Sequence, residues 1–200
     1  MSSLVSGSVL GDVRRYFEEL PVIAEKAAVM SINQVVERDG LAMMRSDINS
    51  QVAFPTGYLK NDGRLSVTRR AREGSLEAVI TARDRPTSLA RFTSGQTPAS
   101  TRKGGVTVEV KRCKTVHMKN AFLVNLKNGN LGLAVRLKPG ESLANKTNGK
   151  PVMLAKNVYL LYGPSVDQVF QTVAEESLPE LGTMVSKEFL RQFTRLSRGR

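Results

Sequence analysis

Residues 121–137 read AFLVNLKNGNLGLAVRL, two apolar runs joined by turn-forming residues. The first run, 121–126, is apolar on both faces, which predicts a buried strand at the centre of a sheet. Apolar side chains then alternate from Leu131 to Leu137, which predicts a second strand. Asn128-Gly129-Asn130, between the runs, has the composition of a hairpin turn. The stretch therefore predicts two neighbouring antiparallel strands.

Similar alternation extends on both sides of this hairpin, in residues 76–83, 106–111 and 158–162. Since these segments follow one another without intervening helices, residues 57–163 predict a β-rich region with a mostly antiparallel sheet of five to seven strands. Two stretches, 93–105 and 138–150, have no apolar period, and we expect both to be long loops.

The first third of the chain has the periodicity of helices. After Asp12, a favourable N-cap residue, apolar residues recur at three- and four-residue steps, which predicts a helical region over 12–53. Pro21 either kinks this region or opens a second helix, and Asp39-Gly40 interrupts it. The apolar stripe is either a core face or a subunit interface, and we favour the core.

The end of the chain returns to helix, over residues 165–196. Ser165 and Gln168 have the spacing of a capping box, in which each side chain accepts the other residue's backbone N–H. Pro179 predicts a break in this helix. The chain as a whole predicts a single α+β domain over 1–200, with N-terminal helices, a mostly antiparallel sheet and a C-terminal helix.

Composition narrows the functional classes. The chain has 200 residues, of which 40% are hydrophobic, enough for a globular core. One cysteine, Cys113, excludes a disulfide within the chain, and one histidine, His117, excludes zinc motifs that need two. No apolar run approaches the roughly 18 residues of a membrane span, and the N-terminus lacks the basic region of a secretory signal. We therefore expect a protein without membrane contact that is made or assembled in the cytoplasm.

Positive charge is concentrated in the middle of the chain. The net charge is +12, and residues 64–165 carry +14 while both ends are close to neutral. Contact with a polyanion and simple solubilisation of exposed strand faces both account for this pattern. The basic residues that are candidate contacts with phosphates or an acidic partner are Arg69, Arg70, Arg72, Arg83, Arg85, Arg91, Arg102, Lys103, Lys111, Arg112 and Lys114. No helix-turn-helix, zinc-finger or RNP-type motif accompanies them, so we do not expect sequence-specific recognition of nucleic acid.

No motif in the chain predicts catalysis. Cys113 and His117 lie four residues apart in one predicted strand and on the same face, but about 13 Å apart along it, too far for a nucleophile–base pair. A phosphate-binding loop of the GxxxxGK[ST] type is missing, and the few carboxylates of the central region are dispersed. We therefore expect no catalytic residues, no cofactor and no metal site.

Six short segments carry a resemblance: PTGYL at 55–59, LEAVITAR at 76–83, RPTSLARF at 85–92, GVTVEV at 105–110, NAF at 120–122 and LYGPSV at 161–166. In this order and spacing they resemble the minor tail protein Z family of tailed bacteriophages, the tail completion proteins. The resemblance covers about residues 20–175 and includes the family's turn motif, Gly163-Pro164-Ser165.

This resemblance implies a structural virion protein of the tail or neck, assembled in the host cytoplasm. It also implies a ring of identical subunits that joins the tail to the head connector around the DNA channel. The partners would be other copies of the chain, tail-tube, tail-terminator or head-connector proteins, and DNA in the channel. The alternative, from charge alone, is a non-specific DNA-binding protein that uses the basic central region.

Overall fold

A computed structural model of the protein describes residues 7–98, 104–143 and 152–198, with side chains from Glu18 onward in the first helix. The N-terminal part is helical, with α1 at Gly7–Gln34, a π-helical segment at Val35–Gly40 and α2 at Leu41–Gln51. The C-terminal helix, α3, spans Val166–Arg198. The segments between these helices in the sequence form antiparallel strands, so the predicted α+β class is confirmed.

The first helix differs in detail from the prediction. It begins at Gly7, so Asp12 lies inside the helix and is not its N-cap. Gly11 costs a helix only about 1 kcal/mol relative to alanine, too little to separate the residues before it from the periodic ones after it. Pro21 also lies within α1 and opens no second helix.

The interruption predicted at Asp39-Gly40 is the end of the π-helical segment. The Leu41 N–H donates to the Val36 carbonyl, five residues back, where an α-helix would use the fourth. Gly40 is buried there, and a Cβ atom on it would lie 3.2 Å from Cδ2 of Leu181. The backbone therefore passes close to the C-terminal helix at this point, and glycine leaves the room for it.

Ten short strands form four sheets within the described residues: β1 Leu65–Arg69, β2 Val79–Ala82, β3 Thr87–Ser88, β4 Val106–Lys111, β5 Lys114–Met118, β6 Ala121–Asn125, β7 Leu131–Arg136, β8 Val152–Ala155, β9 Val158–Leu160 and β10 Tyr162–Gly163. The largest sheet has the order β6-β7-β9-β8, and every pair of neighbours in it is antiparallel. The other sheets pair β1 with β2, β3 with β10, and β4 with β5. The strands thus divide among several small sheets rather than one of five to seven strands.

The hairpin predicted within residues 121–137 is confirmed. β6 and β7 pair with Leu123 opposite Leu133, and the Leu126 N–H donates to the Asn130 carbonyl at 2.8 Å across the turn. Gly129 has a φ of +77°, which glycine adopts at little cost.

The central position predicted for the 121–126 strand is wrong. Among the described strands β6 pairs only with β7 and forms one edge of the four-stranded sheet. β7, the neighbour of β6, is one of the two inner strands, and four of its six residues are buried in succession. An apolar sequence indicates that the side chains of a strand are buried. The position of a strand in its sheet depends instead on which strands pair with it, so the apolar run at 121–126 did not determine that position.

The capping box at the start of α3 is confirmed. The Ser165 Oγ accepts the Gln168 N–H at 3.0 Å, and the Gln168 Oε1 accepts the Ser165 N–H at 3.0 Å. The break predicted at Pro179 is wrong, because α3 is continuous through that residue. A proline removes one backbone donor and bends a helix without necessarily ending it.

The described residues divide into two compact units. One contains residues 7–42, 67–80 and 177–198, and the other contains the described parts of 43–66 and 81–176. In the first unit, the side-chain amide of Asn33 forms hydrogen bonds with both the N–H and the carbonyl of Ala71, at 2.8 and 2.9 Å.

The prediction of a single domain over 1–200 stays a prediction. The predicted loops at 93–105 and 138–150 lie partly outside the described residues.

The second unit has a large apolar core. Its most deeply buried apolar side chains come from helix α2, from strands β1, β4 and β7, from the residue between β9 and β10, and from the start of α3: Met44, Ile48, Leu65, Val106, Leu133, Leu161 and Val166. At about 25 cal/mol for each Å² of apolar surface removed from water, such side chains supply most of the favourable free energy of folding. This core supports the turns of the second unit, which carry the other basic residues of the candidate site.

Candidate functional site: an arginine-lined cavity

The first group of sequence-predicted basic residues lies in the first unit. Arg69 pairs with Glu77 at 2.5 Å, and Arg70 pairs with Glu37; all of these residues are exposed except Glu37, which is half-buried. Arg72 is exposed at a turn where its backbone pairs with Ser75. Exposed ion pairs contribute about 0–1 kcal/mol to the free energy of folding. The main effect of the Arg69 and Arg70 pairs is therefore to neutralise the charges of these two arginines.

The second group surrounds the β4–β5 turn. Lys111 ends β4 opposite Lys114, and the Arg112 Nε donates to the Asn49 carbonyl at 2.8 Å. Both residues are exposed. Arg102 and Lys103 lie outside the described residues.

Cys113 and His117 do not share one strand face. Cys113 lies in the turn between β4 and β5 with a φ of +60°, and its N–H donates to the Glu109 carboxylate at 3.0 Å. His117 lies in β5, with Nδ1 3.0 Å from the Thr107 hydroxyl. The premise that 113 and 117 occupy the same strand is therefore wrong, because the chain reverses between them.

The turn motif Gly163-Pro164-Ser165 joins β10 to α3. Gly163 pairs with Thr87, and a Cβ atom on it would lie 3.1 Å from side-chain atoms of Leu89 and Phe92. The Pro164 carbonyl accepts the Thr87 N–H at 3.4 Å, and Ser165 caps α3. All three residues thus have structural roles in the second unit.

Three of the predicted basic residues meet in the second unit, around a cavity of about 350 Å³. They are Arg83 and Arg85, which follow β2, and Arg91, in the 3₁₀ turn Leu89–Phe92. A fourth arginine, Arg64, comes from the segment before β1. We call this space the arginine cavity, and its full lining is Tyr58, Asp62, Arg64, Arg83, Arg85, Pro86, Ser88, Arg91, Leu126, Asn128, Asn130, Leu131, Leu160 and Tyr162.

Arg64 is the buried member of this group, with only 9% of its side chain exposed. Its Nη1 donates to the Tyr58 carbonyl at 2.9 Å, and its Nη2 donates to the Asp62 carboxylate at 2.6 Å. The guanidinium lies over the Tyr58 ring, 4.1 Å from the centroid, and the Arg91 guanidinium lies 5.7 Å from the same centroid. The Arg64 Nε–H has no hydrogen-bond partner among the described residues.

The charges around the arginine cavity are unbalanced. Asp62 is the one carboxylate in the lining, and it is bound to Arg64. No ion pair joins Arg83, Arg85 or Arg91 to any acidic side chain in the part of the chain that the structure describes. Three guanidinium groups therefore line one small space without a counter-charge there.

Sequence reasoning identified part of this site and missed the rest. Arg83, Arg85 and Arg91 are among the predicted phosphate contacts, whereas Arg64 stands alone in the sequence and was not singled out. Asn128 and Asn130 were identified only as turn residues, yet their hairpin supplies another wall of the arginine cavity. Arg64 follows an Asn-Asp-Gly turn, but the burial that distinguishes it is not visible in the sequence.

No family model matches this chain, and neither the curated proteins nor the solved structures contain a significant match to it. Within the described ranges, no helix is long and apolar enough to cross a membrane. The same ranges contain no group of three or more His, Cys, Asp or Glu side chains placed to hold a metal ion.

Proposed function

We propose that the protein is a structural virion protein of a tailed bacteriophage: a tail completion or neck protein that forms a ring and joins the tail to the head connector around the DNA channel. The proposal rests on the resemblance to the minor tail protein Z family. It concerns assembly, with other copies of the chain and neighbouring tail or head-connector proteins as partners, and no catalytic step.

The observation that carries the proposal is that three distant segments of the resemblance pack together. Tyr58, from 55–59, has its hydroxyl 3.2 Å from the hydroxyl of Thr87, from 85–92. Thr87 in turn pairs with Gly163, from 161–166. These segments are far apart in sequence, so their contact means that the resembling residues build one element of the fold. This favours an architecture shared with the minor tail protein Z family over chance matches of short sequence segments.

Exposed apolar residues support self-association. All four residues of β8 are exposed, including Val152, Met153 and Leu154, and β8 is an edge of the four-stranded sheet among the described strands. An exposed apolar edge strand offers unpaired backbone groups and apolar surface to another chain. A subunit of a ring needs surfaces of this kind.

Deletion of the gene from the phage genome tests the proposal, with complementation from a plasmid. We expect the deletion to yield DNA-filled heads and tails that are not joined, visible by electron microscopy, and wild-type protein to restore joined particles. Mass spectrometry of purified complemented virions should then detect the protein. Joined, infectious particles without the protein would contradict the proposal.

The second candidate function is non-specific DNA binding, favoured by the basic β4–β5 hairpin. Lys111, Arg112 and Lys114 are all exposed there. Each phosphate contact releases counterions, so log Kd for duplex DNA should change with log salt by about 0.9 per contact. Lys111→Gln/Lys114→Gln should reduce that slope by about two, whereas weak binding with no salt dependence would exclude this function.

A further inference from the structure

We propose that the arginine cavity binds a multivalent phosphate, either a small free anion such as pyrophosphate or neighbouring phosphate groups of a nucleic acid. This inference is independent of the virion function proposed above. It concerns a ligand for one unit of the chain rather than its assembly.

The free polar groups that line the arginine cavity are mainly hydrogen-bond donors. The guanidinium groups of Arg83, Arg85 and Arg91 donate hydrogen bonds and cannot accept them. The Asn128 Oδ1 already accepts the Asn130 N–H at 3.1 Å, which leaves its NH₂ group as the available part of that amide. The carboxylate of Asp62 is bound to Arg64. A ligand that fits these walls must therefore supply acceptors, as an oxyanion does.

The buried Arg64 provides a second, independent indication. Its Nη1 and Nη2 both have partners, but its Nε–H has none among the described residues, although the side chain is nine-tenths buried. A buried donor without a partner costs free energy, so a small shift of the Arg64 side chain towards an acceptor in the arginine cavity would be favourable. Arg64 and the three arginines without a counter-charge belong to the same lining.

Charge and volume favour a phosphate over a protein carboxylate. A carboxylate carries one negative charge, whereas pyrophosphate, or two neighbouring phosphates of a nucleic acid, carry at least two. That higher charge suits the three arginines that line the arginine cavity without an acidic partner, and arginine binds phosphate oxygens in a bidentate manner. A volume of about 350 Å³ is at the lower end of the range for small-ligand sites. This space accommodates one or two phosphate groups, but it is too small for a folded acidic segment of a partner protein.

The test is calorimetric titration of the full-length protein with pyrophosphate in a buffer free of phosphate and sulfate. We expect saturable binding to one site in each chain. Arg85→Gln/Arg91→Gln should weaken it at least about tenfold, the loss expected for one charge-assisted hydrogen bond. Both side chains are exposed, so this double variant should fold like the wild type, which its thermal unfolding curve will check.

The matched control is Arg72→Gln/Arg136→Gln, which removes the same charge from two exposed arginines outside the lining. We expect its affinity to stay within a factor of about two of the wild type. Equal weakening in the two double variants, or no saturable binding to the wild type, would overturn the proposal.

A competition titration separates the two sources of the phosphate. If a short single-stranded oligonucleotide displaces pyrophosphate, and does so less well from Arg85→Gln/Arg91→Gln, the ligand is a nucleic-acid phosphate. Pyrophosphate binding that the oligonucleotide does not disturb identifies a free anion. Both results support a phosphate site in the arginine cavity, and they differ in which phosphate binds there.

Discussion

The guanidinium carbon of Arg64 lies 4.1 Å from the centroid of the Tyr58 ring, and Nη1 of the same group donates to the Tyr58 carbonyl at 2.9 Å. One residue therefore holds Arg64 through both its ring and its backbone. Because the guanidinium is planar, it stacks on the ring and reaches the carbonyl and Asp62 at the same time. The arginine cavity thus has a fixed wall at Arg64, whereas Arg83 is half-buried and Arg85 and Arg91 are exposed.

Arg64→Lys should destabilise the protein by about 2 kcal/mol, since an ammonium cannot replace a forked set of buried, charge-assisted hydrogen bonds. The measurement is urea unfolding followed by circular dichroism. Arg85→Lys, at an exposed position of the same lining, is the control and should change the free energy of unfolding by less than about 0.5 kcal/mol. Equal effects of the two changes would show that the burial of Arg64 does not matter.

Ser165→Ala should cost about 1 kcal/mol, because it removes the acceptor for the Gln168 N–H at the start of α3. Ser165→Asp keeps an acceptor there and should retain most of the stability. The difference between the two variants in thermal unfolding isolates the cap. If both variants lose the same amount, the buried environment of Ser165 matters more than its hydrogen bond.

Glu188 should make the stability of the protein depend on pH in the acid range. Two hydrogen bonds from Arg191, at 2.6 and 2.8 Å, lower the pKa of Glu188 from 4.5 to about 2, with further help from Gln192 and the charge of Arg38. The folded state therefore binds a proton less readily than the unfolded state. The contribution is complete above about pH 5 and is lost as the pH falls towards 2.

Glu188→Gln removes this contribution and provides the check. The wild type should be more stable than the variant at pH 6, and the gap in the free energy of unfolding should narrow at pH 3. Urea unfolding at the two pH values measures both numbers. A gap that stays constant or widens at pH 3 would show that Glu188 has no lowered pKa.

Cys113→Gly should leave the stability unchanged or raise it by up to about 1 kcal/mol, because a φ of +60° suits glycine and strains other residues. Cys113→Val should instead lower the stability by about 1–2 kcal/mol, because a branched Cβ fits this backbone region poorly. Thermal unfolding under reducing conditions compares the two variants. Equal melting temperatures would indicate that the turn relaxes to another conformation.

Local patterns predicted the local features of this fold well. The hairpin around Gly129 and the capping box of Ser165 and Gln168 each depend on a few adjacent residues, and both were predictable from them. Which strands pair depends on residues far apart in sequence. That is why the edge position of β6 and the division of the strands among four sheets could not be predicted.

The arginine cavity follows the same rule. Arg83, Arg85 and Arg91 stood out because they are close together in the sequence and basic. Arg64 joins them only because the chain before β1 folds back, where its carbonyl accepts the Arg83 N–H at 2.8 Å. Its burial against Tyr58 is a product of tertiary packing, for which a single arginine in a turn gives no signal.

The exposed strand β8 has a practical consequence for handling the protein. A chain with a net charge of +12 repels its own copies over a distance that shrinks from about 10 Å at 0.1 M salt to about 3 Å at 1 M. Concentrated salt therefore removes the repulsion but leaves the attraction between the Val152–Leu154 surfaces, which salts such as sulfate strengthen. Colloidal stability should accordingly be greatest in dilute buffer, and concentrated ammonium sulfate should bring the copies together.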